Sequence, residues 1–138
     1  MSQPHAKSHA HSPGFLALIN DARQRVKTMA LADYVALLER GERPLLVDVR
    51  EDREWDAGHL PGAVHLGKGV IERDIEAAVP DPATPVVLYC GGGFRSVLVC
   101  ENLQRMGYTN CVSLDDGWRG WNQLGLPVVK PAPEAGPR

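Results

Sequence analysis

The amino-acid sequence predicts an α/β domain with a central, mainly parallel β-sheet that is flanked by helices. Its 138 residues are the usual size of one domain with one hydrophobic core. Short apolar runs alternate with helical stretches along most of the chain, and such runs are typical of strands that are covered on both faces. This alternation favours right-handed crossovers between parallel strands, which leave a ligand site at the carboxyl ends of the strands.

Four short apolar runs are the predicted strands. They are LLVDV at 45–49, AVHL at 63–66, VVLYC at 86–90 and CVSL at 111–114. The longest predicted helix lies between the last two runs and covers 95–106. We expect it to end at Gly107, because glycine readily takes the left-handed conformation found at helix ends.

Two further helices are predicted before the first strand. Ser12 and Pro13 are typical of a helix start, and apolar residues then recur at helical spacing at positions 15, 19, 22 and 26. We interpret this segment as an accessory N-terminal helix that packs on the domain. The second helix covers 32–40, with Gly41 as its stop.

The predicted organisation is one domain between two flexible tails. Residues 1–12 and 130–138 contain almost no bulky apolar side chains, so burial cannot offset the entropy of ordering them. Residues 13–41 hold the accessory helix and the first helix of the domain. Residues 42–129 form the core of the domain.

Composition restricts the partners and the compartment. The 15 basic and 17 acidic residues give a formal net charge of −2, and the basic residues are dispersed along the chain. Nucleic acid requires a basic stripe instead. No apolar run approaches the roughly 20 residues that span a bilayer, and the N-terminus lacks the pattern of a secretory signal. We therefore expect a cytoplasmic protein without nucleic-acid or membrane partners.

The three cysteines, Cys90, Cys100 and Cys111, are widely spaced and form no CxxC motif. This pattern suits neither a disulfide framework nor a zinc site, so free thiols and no metal are expected. Cys100 falls among apolar helix residues and Cys111 begins a strand. Both are therefore predicted to be core residues rather than reaction partners of Cys90.

Cys90 stands where a buried strand ends and a glycine-rich loop begins. Three glycines follow it, and then Phe94, Arg95 and Ser96 open the next helix. Glycines allow a tight turn and the close approach of a ligand, so N–H groups from residues 91–96 can converge on one anion. The positive end of the helix and the charge of Arg95 act at the same place. The segment therefore predicts a cradle that favours a nucleophilic thiolate at Cys90.

This loop and three other segments resemble the signature motifs of the rhodanese family. The loop motif is CGGGFRS at 90–96, and the others are DVRE at 48–51, GHLPGAVHL at 58–66 and DDGWRGWNQLGLPV at 115–128. Four motifs in the family's order are far more specific than a lone glycine-rich loop. The resemblance implies a rhodanese-like fold of the single-domain type and a thiosulfate sulfurtransferase activity.

The resemblance also implies a two-step, ping-pong cycle without a metal or an organic cofactor. Cys90 would accept sulfane sulfur from an anion such as thiosulfate, hold it as a persulfide and pass it to a thiophilic acceptor. Cyanide, a small thiol or a dedicated protein would each serve as acceptor. Cys90 is then the catalytic residue, and the predicted substrate-binding residues are Gly91, Gly92, Gly93, Phe94, Arg95 and Ser96.

Four residues outside this loop are candidates for the pocket wall. Asp48 and Arg50 flank the end of a strand, where a local ion pair that holds the loop is an equal alternative. Arg73 would attract anions to a pocket rim, although such residues usually lie on a solvated helix face. Trp118 lies on a short predicted helix, where packing against the sheet is the alternative to a role in the wall.

Two other functions stay open at the level of the sequence. One is a noncatalytic rhodanese-like module that binds a partner or senses a signal, because fold does not imply function. The other is a phosphatase or an arsenate reductase, whose related folds use a cysteine and an arginine around a similar cradle. Phosphatases place five residues between the two, whereas four separate Cys90 from Arg95. The loop also lacks a carboxylic acid that could protonate a leaving group, so sulfur transfer is favoured.

Overall fold

The computed structural model of the protein describes residues 11–131 and contains a five-stranded sheet. In chain order the strands are β1 (Thr28–Met29), β2 (Leu45–Asp48), β3 (Val64–His65), β4 (Val86–Tyr89) and β5 (Cys111–Leu114). All neighbouring strands run parallel, in the order β1-β5-β4-β2-β3. The prediction of an α/β domain with a mainly parallel sheet is confirmed.

Each predicted apolar run contains one of these strands, with ends that agree to within one residue. β4 lies between β5 and β2, and all of its residues are buried, which explains why this run is uniformly apolar. β1 is missing from the prediction. It has only two residues and is recognisable only through its pairing with β5, so it carries no periodic pattern.

Six helices surround the sheet in the described part of the chain. They are α1 (Pro13–Arg23), α2 (Leu31–Glu39), α3 (Asp52–Ala57), α4 (Ile71–Ala78), α5 (Arg95–Arg105) and α6 (Gly117–Gln123). α3 is not among the predicted helices, because none of its residues is buried and it therefore lacks an apolar period. It begins instead with a capping box between Glu51 and Glu54.

Two hydrophobic layers hold the helices on opposite faces of the sheet. Side chains in a strand alternate between the faces, so β2 and β4 contribute to both layers. One layer joins them to α4 and α5, through Val47, Leu88, Ile75 and Leu103 among others. The other joins them to α2 and α6, through Leu46, Val87, Tyr34 and Trp121 among others. The carboxyl ends of β2, β4 and β5 therefore meet at one edge, where the cysteine-containing loop begins.

α1 is the predicted accessory helix, and it packs on α5. Ile19 and Ala22 are buried against Val97 of α5. The side chain of Ser12 accepts a hydrogen bond from the N–H of Phe15 at 3.4 Å, which confirms the predicted helix start. This packing brings the beginning of α1 to the start of α5, next to the cysteine.

The predicted flexible tails fall mostly outside the described residues, which exclude 1–10 and 132–138. Inside the described range, the ring of His11 lies against Phe94, with centroids 4.5 Å apart. At the other end, Val129 and His59 exchange two backbone hydrogen bonds of 2.8 and 2.9 Å. None of the helices within residues 11–131 is long and apolar enough to cross a membrane.

Candidate active site

Cys90 directly follows β4, and only 1% of its surface is exposed. The N–H of Gly93 donates to Cys90 Sγ at 3.2 Å, and the N–H of Ser96 donates to it at 3.4 Å. Gly93 has a φ of 95°, in the left-handed region that favours glycine. Ser96 lies in the first turn of α5, so the positive end of that helix is directed at the sulfur as well. Of the N–H groups of residues 91–96 that the sequence predicts to converge, these two are directed at the sulfur.

Two buried serines connect this sulfur to β5. Ser96 Oγ lies 3.5 Å from Cys90 Sγ and shares a hydrogen bond of 2.7 Å with Ser113 Oγ. If Ser113 donates to Ser96, the hydroxyl proton of Ser96 is free to point at the sulfur. Ser113 is not among the predicted site residues. Its signal in the sequence is a polar residue in the middle of an otherwise apolar strand, which requires a partner once buried.

α6 is held against the cysteine loop by its backbone. The N–H of Trp118 donates to the carbonyl of Cys90, and the N–H of Arg119 donates to the carbonyl of Gly91, both at 2.9 Å. Gly117 permits this close approach, since a Cβ at that position would lie 2.2 Å from the Cys90 carbonyl oxygen. The segment from 115 to 121 therefore supports the loop that carries the cysteine.

The cysteine loop, residues 90–96, lies beside a cleft of about 970 Å³ that Cys90 helps to line. The other walls include Phe15 of α1, Glu54 of α3, and Trp118 and Arg119 of α6. Of the predicted binding residues, the cleft is lined by Gly91, Gly92, Phe94 and Arg95. Gly93 and Ser96 lie behind these residues and reach the sulfur through their N–H groups. A cleft of this volume accommodates a small organic molecule.

Arg95 lines the cleft, and its guanidinium is paired with Glu54. Arg95 Nη1 donates to Glu54 Oε1 at 2.7 Å, and Nη2 donates to Oε2 at 3.1 Å, which is a bidentate arrangement. The hydrogen bond from Arg95 lowers the pKa of Glu54 to about 2. The same bond raises the pKa of Arg95, and the charge of Cys90 adds to this effect. In this structure the carboxylate of Glu54 therefore accepts the hydrogen bonds that the sequence predicts Arg95 to donate to a ligand.

Asp48 and Arg50 form a buried ion pair at the end of β2, with 0% and 2% of their surfaces exposed. Arg50 Nη2 donates to Asp48 Oδ2 at 2.9 Å, and the hydroxyl of Tyr89 donates to the same oxygen at 2.5 Å. Burial raises the pKa of Tyr89, so its hydroxyl keeps the donated proton. Neither member of the pair lines the cleft beside Cys90. The geometry favours the alternative in which a local ion pair holds the loop.

Of the two remaining candidates for the pocket wall, Trp118 and Arg73, only Trp118 is found at the cleft. Trp118 lines the cleft, and the guanidinium of Arg50 lies 4.4 Å from the centroid of its ring. Arg73 does not reach the cleft; its side chain is 75% exposed and pairs with Asp74. The reason is that α4 buries its apolar face against the sheet, which turns Arg73 toward solvent.

His11, Phe15 and Arg119 line the cleft but are absent from the predicted site. Phe15 follows the apolar period of α1, so the sequence indicates a core residue. Arg119 is an exposed residue of α6, and charged residues on a helix surface carry no pattern that distinguishes a site. The position of all three depends on how α1 and α6 pack beside the cysteine loop. No local signal in the sequence could have identified them.

Cys100 and Cys111 lie together in the core and do not line the cleft. Their sulfurs are 3.5 Å apart, and both residues are buried. The hydrogen bond with Cys111, together with burial, raises the pKa of the Cys100 thiol. Their predicted placement in the core is confirmed. Across residues 11–131, no three or more His, Cys, Asp or Glu side chains are grouped so that they could hold a metal ion.

Comparison with known proteins identifies the family. Residues 30–124 match the model of the rhodanese-like domain. A sulfurtransferase from Allochromatium vinosum is 36% identical over 114 residues, which cover 83% of this chain and 98% of the relative. A tRNA uridine(34) hydroxylase from Protochlamydia amoebophila is 31% identical over 104 residues, but the chain spans only 32% of its length. The chain thus corresponds to nearly all of some relatives and to one part of others.

Two solved structures share the architecture. A protein of unknown function from Rhodopseudomonas palustris, named as a possible tyrosine phosphatase, has a TM-score of 0.73 at 28% identity, with 93% of this chain and 100% of that chain covered. A polysulfide-sulfur transferase from Wolinella succinogenes has a TM-score of 0.69 at 25% identity, with 88% and 90% covered. The motifs, the parallel sheet, the cysteine loop and the match over residues 30–124 lead to one conclusion: this chain belongs to the rhodanese-like domain family.

Proposed function

We propose that the protein is a sulfurtransferase that carries sulfane sulfur as a persulfide on Cys90. The proposal is carried by one observation: Cys90 helps to line the cleft, and the N–H groups of Gly93 and Ser96 are directed at its sulfur. A thiolate in such a cradle is a nucleophile that needs no neighbouring base. Membership of a family whose relatives include sulfurtransferases supports the same chemistry.

In the first step, a donor such as thiosulfate transfers its outer sulfur to the protein. The Cys90 thiolate attacks that sulfur, the S–S bond of thiosulfate breaks, and sulfite leaves with the electron pair of the broken bond. The product is the Cys90 persulfide. Negative charge stays close to the cradle throughout this step, so fixed N–H dipoles stabilise it without having to reorient.

In the second step, an acceptor removes the transferred sulfur. Cyanide or a thiolate attacks the outer sulfur of the persulfide, and the bond between the outer sulfur and Cys90 Sγ breaks. Thiocyanate or a new low-molecular-weight persulfide leaves, and Cys90 returns to the thiolate. The two half-reactions balance without a metal or an organic cofactor.

The other loop residues have distinct roles in this proposal. Gly91 and Gly92 leave room for the donor, because neither carries a side chain that would fill the cleft. Phe94 forms part of the wall. Arg95 lines the cleft beside Cys90, and its bidentate pair with Glu54 keeps the guanidinium in place while offsetting most of its charge.

Phosphate-ester hydrolysis is the second candidate, because the R. palustris protein with the TM-score of 0.73 is named as a possible tyrosine phosphatase. The loop weighs against it, since only four residues separate Cys90 from Arg95. A shorter loop suits a single sulfur atom better than a tetrahedral phosphate, and the loop contains no acid for a leaving group. Hydrolysis of p-nitrophenyl phosphate would distinguish the two activities.

The proposal predicts a covalent adduct. Incubation with thiosulfate and removal of the excess donor are expected to add one sulfur atom to the intact mass of the protein. Subsequent cyanide should return the mass to its starting value and release thiocyanate in equal amount. Cys90→Ser should fold, because the substitution is nearly isosteric, and should gain no sulfur because a serine hydroxyl is a far weaker nucleophile.

Cys100→Ser and Cys111→Ser are the matched controls, and both should still gain the sulfur because these buried thiols do not line the cleft. A sulfur adduct on Cys90→Ser would contradict the assignment of the nucleophile. A wild-type protein that gains no sulfur would contradict the proposal. Hydrolysis of p-nitrophenyl phosphate would then indicate a phosphatase, and no reaction in either assay would indicate a noncatalytic module.

A further inference from the structure

Two arginines lie at the cleft, and their partners distinguish them. Both terminal nitrogens of Arg95 are taken up by Glu54, so this pair presents little net charge to a ligand. Arg119 also lines the cleft, and it makes no ion pair or side-chain hydrogen bond with any residue in the range 11–131. Of Arg95 and Arg119, Arg119 is therefore the one whose guanidinium is free to bind an anion.

Arg119 is held close to the nucleophile. Its N–H donates to the carbonyl of Gly91 at 2.9 Å, which fixes its backbone against the cysteine loop. A Cβ built on Gly92 would lie 2.8 Å from Arg119 Nη1 and 3.4 Å from its Cζ. The guanidinium thus lies over a glycine two positions after Cys90, where any side chain would crowd it. Its planar set of N–H donors matches the two oxygens of a carboxylate.

The cleft is larger than an inorganic donor requires. Its volume of about 970 Å³ lies within the roughly 300–1,000 Å³ that is typical of sites for small organic ligands. Part of its wall is aromatic: the rings of Phe15 and Phe94 have centroids 6.2 Å apart, and His11 lies against both. Phe15 and His11 arrive with α1, so the accessory helix supplies apolar surface for a carbon skeleton.

We propose that the cleft takes an organic thiol that carries a carboxylate, and that Arg119 selects this class of acceptor. The inference rests on the proposed persulfide of Cys90. The carboxylate binds the guanidinium of Arg119, the carbon skeleton contacts Phe15 and Phe94, and the sulfur of the acceptor meets the persulfide.

The transfer step balances without an added oxidant or reductant. The thiol first loses its proton to solvent, and the thiolate then attacks the outer sulfur: R–S⁻ + Cys90–S–SH → R–S–SH + Cys90–S⁻. One S–S bond forms as another breaks, and the electron pair of the broken bond stays on Cys90 Sγ. The oxidation level of the outer sulfur passes unchanged from the protein to the organic thiol.

Three small thiols of similar size and different charge test this inference. They are 3-mercaptopropionate, 2-mercaptoethanol and cysteamine. Besides the thiol, they carry an anionic carboxylate, a neutral hydroxyl and a cationic ammonium group, respectively. The full-length protein is loaded with thiosulfate, freed of donor and checked by intact mass, and the rate constant for loss of the sulfur is measured with each thiol. For each thiol, the rate constant of the variant is divided by that of the wild-type protein, so the intrinsic reactivity of the thiol cancels.

Arg119→Gln is expected to lower the ratio of the rate constants for 3-mercaptopropionate and 2-mercaptoethanol by about tenfold, since it removes a charge-assisted hydrogen bond. Arg119→Glu should lower this ratio further and raise the relative rate with cysteamine, because the new carboxylate repels the anion and attracts the cation. The side chain of Arg119 is exposed, so neither substitution should prevent folding.

Arg40→Gln is the matched control, because Arg40 is an exposed arginine at the end of α2 that does not line the cleft. It should leave the ratio unchanged. If Arg119→Gln forms the persulfide but keeps the wild-type ratio, or if Arg40→Gln lowers the ratio equally, the role of Arg119 is wrong and the persulfide mechanism stands. If the wild-type protein forms no persulfide, both the mechanism and this inference are overturned.

Discussion

Asp48 and Arg50 show what a buried ion pair does beside an active site. Asp48 Oδ2 accepts hydrogen bonds from Arg50 and from Tyr89, and Arg50 Nη2 also donates to the carbonyl of Gly58 at 2.6 Å. These bonds connect the end of β2 to β4 and to the segment after α3. Arg50 in turn lies over the ring of Trp118. The pair therefore shapes the cleft without contacting its contents.

Asp48→Asn is expected to lower the free energy of unfolding by about 3 kcal/mol, because it leaves the buried guanidinium of Arg50 without its counter-charge. Urea unfolding at neutral pH measures the change. The control is Asp74→Asn, which removes the carboxylate from the solvent-screened pair with Arg73 and should cost far less. Equal losses in the two variants would contradict the role given to burial.

At the scale of elements, the contact between α6 and the cysteine loop positions both Cys90 and Arg119. Two backbone hydrogen bonds join α6 to the carbonyls of Cys90 and Gly91. They form only because Gly117 has a φ of 40° and no side chain, so that the helix start can touch the carbonyl of Cys90. Gly117 is therefore required for α6 to pack against the cysteine loop.

Gly117→Ala is expected to lower the free energy of unfolding by about 2 to 4 kcal/mol, because its Cβ would overlap the Cys90 carbonyl oxygen and its φ is strained for alanine. Thermal or urea unfolding measures the loss. Gly69→Ala is the matched control, since a Cβ there meets no atom within 4 Å and the backbone is not left-handed. It should change stability by less than about 1 kcal/mol. Similar losses in the two variants would argue against the close contact.

At the scale of the whole molecule, the fold gives its three cysteines two different environments. Cys90 lines the cleft, whereas Cys100 and Cys111 face each other between α5 and β5 in the core. All three thiols are buried, but Cys90 borders the space that a reagent can enter, whereas the other two are enclosed by core side chains. Reactivity therefore depends on tertiary packing and not on the type of residue.

Iodoacetamide should accordingly label the native protein at Cys90 alone, as measured by intact mass and peptide mapping. In denaturing urea it should label all three cysteines, because unfolding removes the protection of the core. Cys90→Ser should stay unlabelled under native conditions. Rapid native labelling of Cys100 or Cys111 would contradict the packing of α5 on β5.

The sequence by itself determined the architecture and the proposed nucleophile. Apolar runs at 45–49, 86–90 and 111–114 carry the strand signal because these strands are buried on both faces. Cys90 is recognisable because the need for a tight turn and converging N–H groups appears directly as a run of glycines. Such features are local, so their chemical requirements are written into neighbouring residues.

Only the tertiary structure decided which charges face the cleft. Arg95 and Glu54 are 41 positions apart, and their pairing depends on the packing of α3 beside α5. Arg119 reaches the cysteine loop because α6 packs against that loop. Phe15 lines the cleft because α1 packs on α5. The direction of an exposed side chain and the choice of its partner are set by contacts between distant segments, which leave no periodic trace in the sequence.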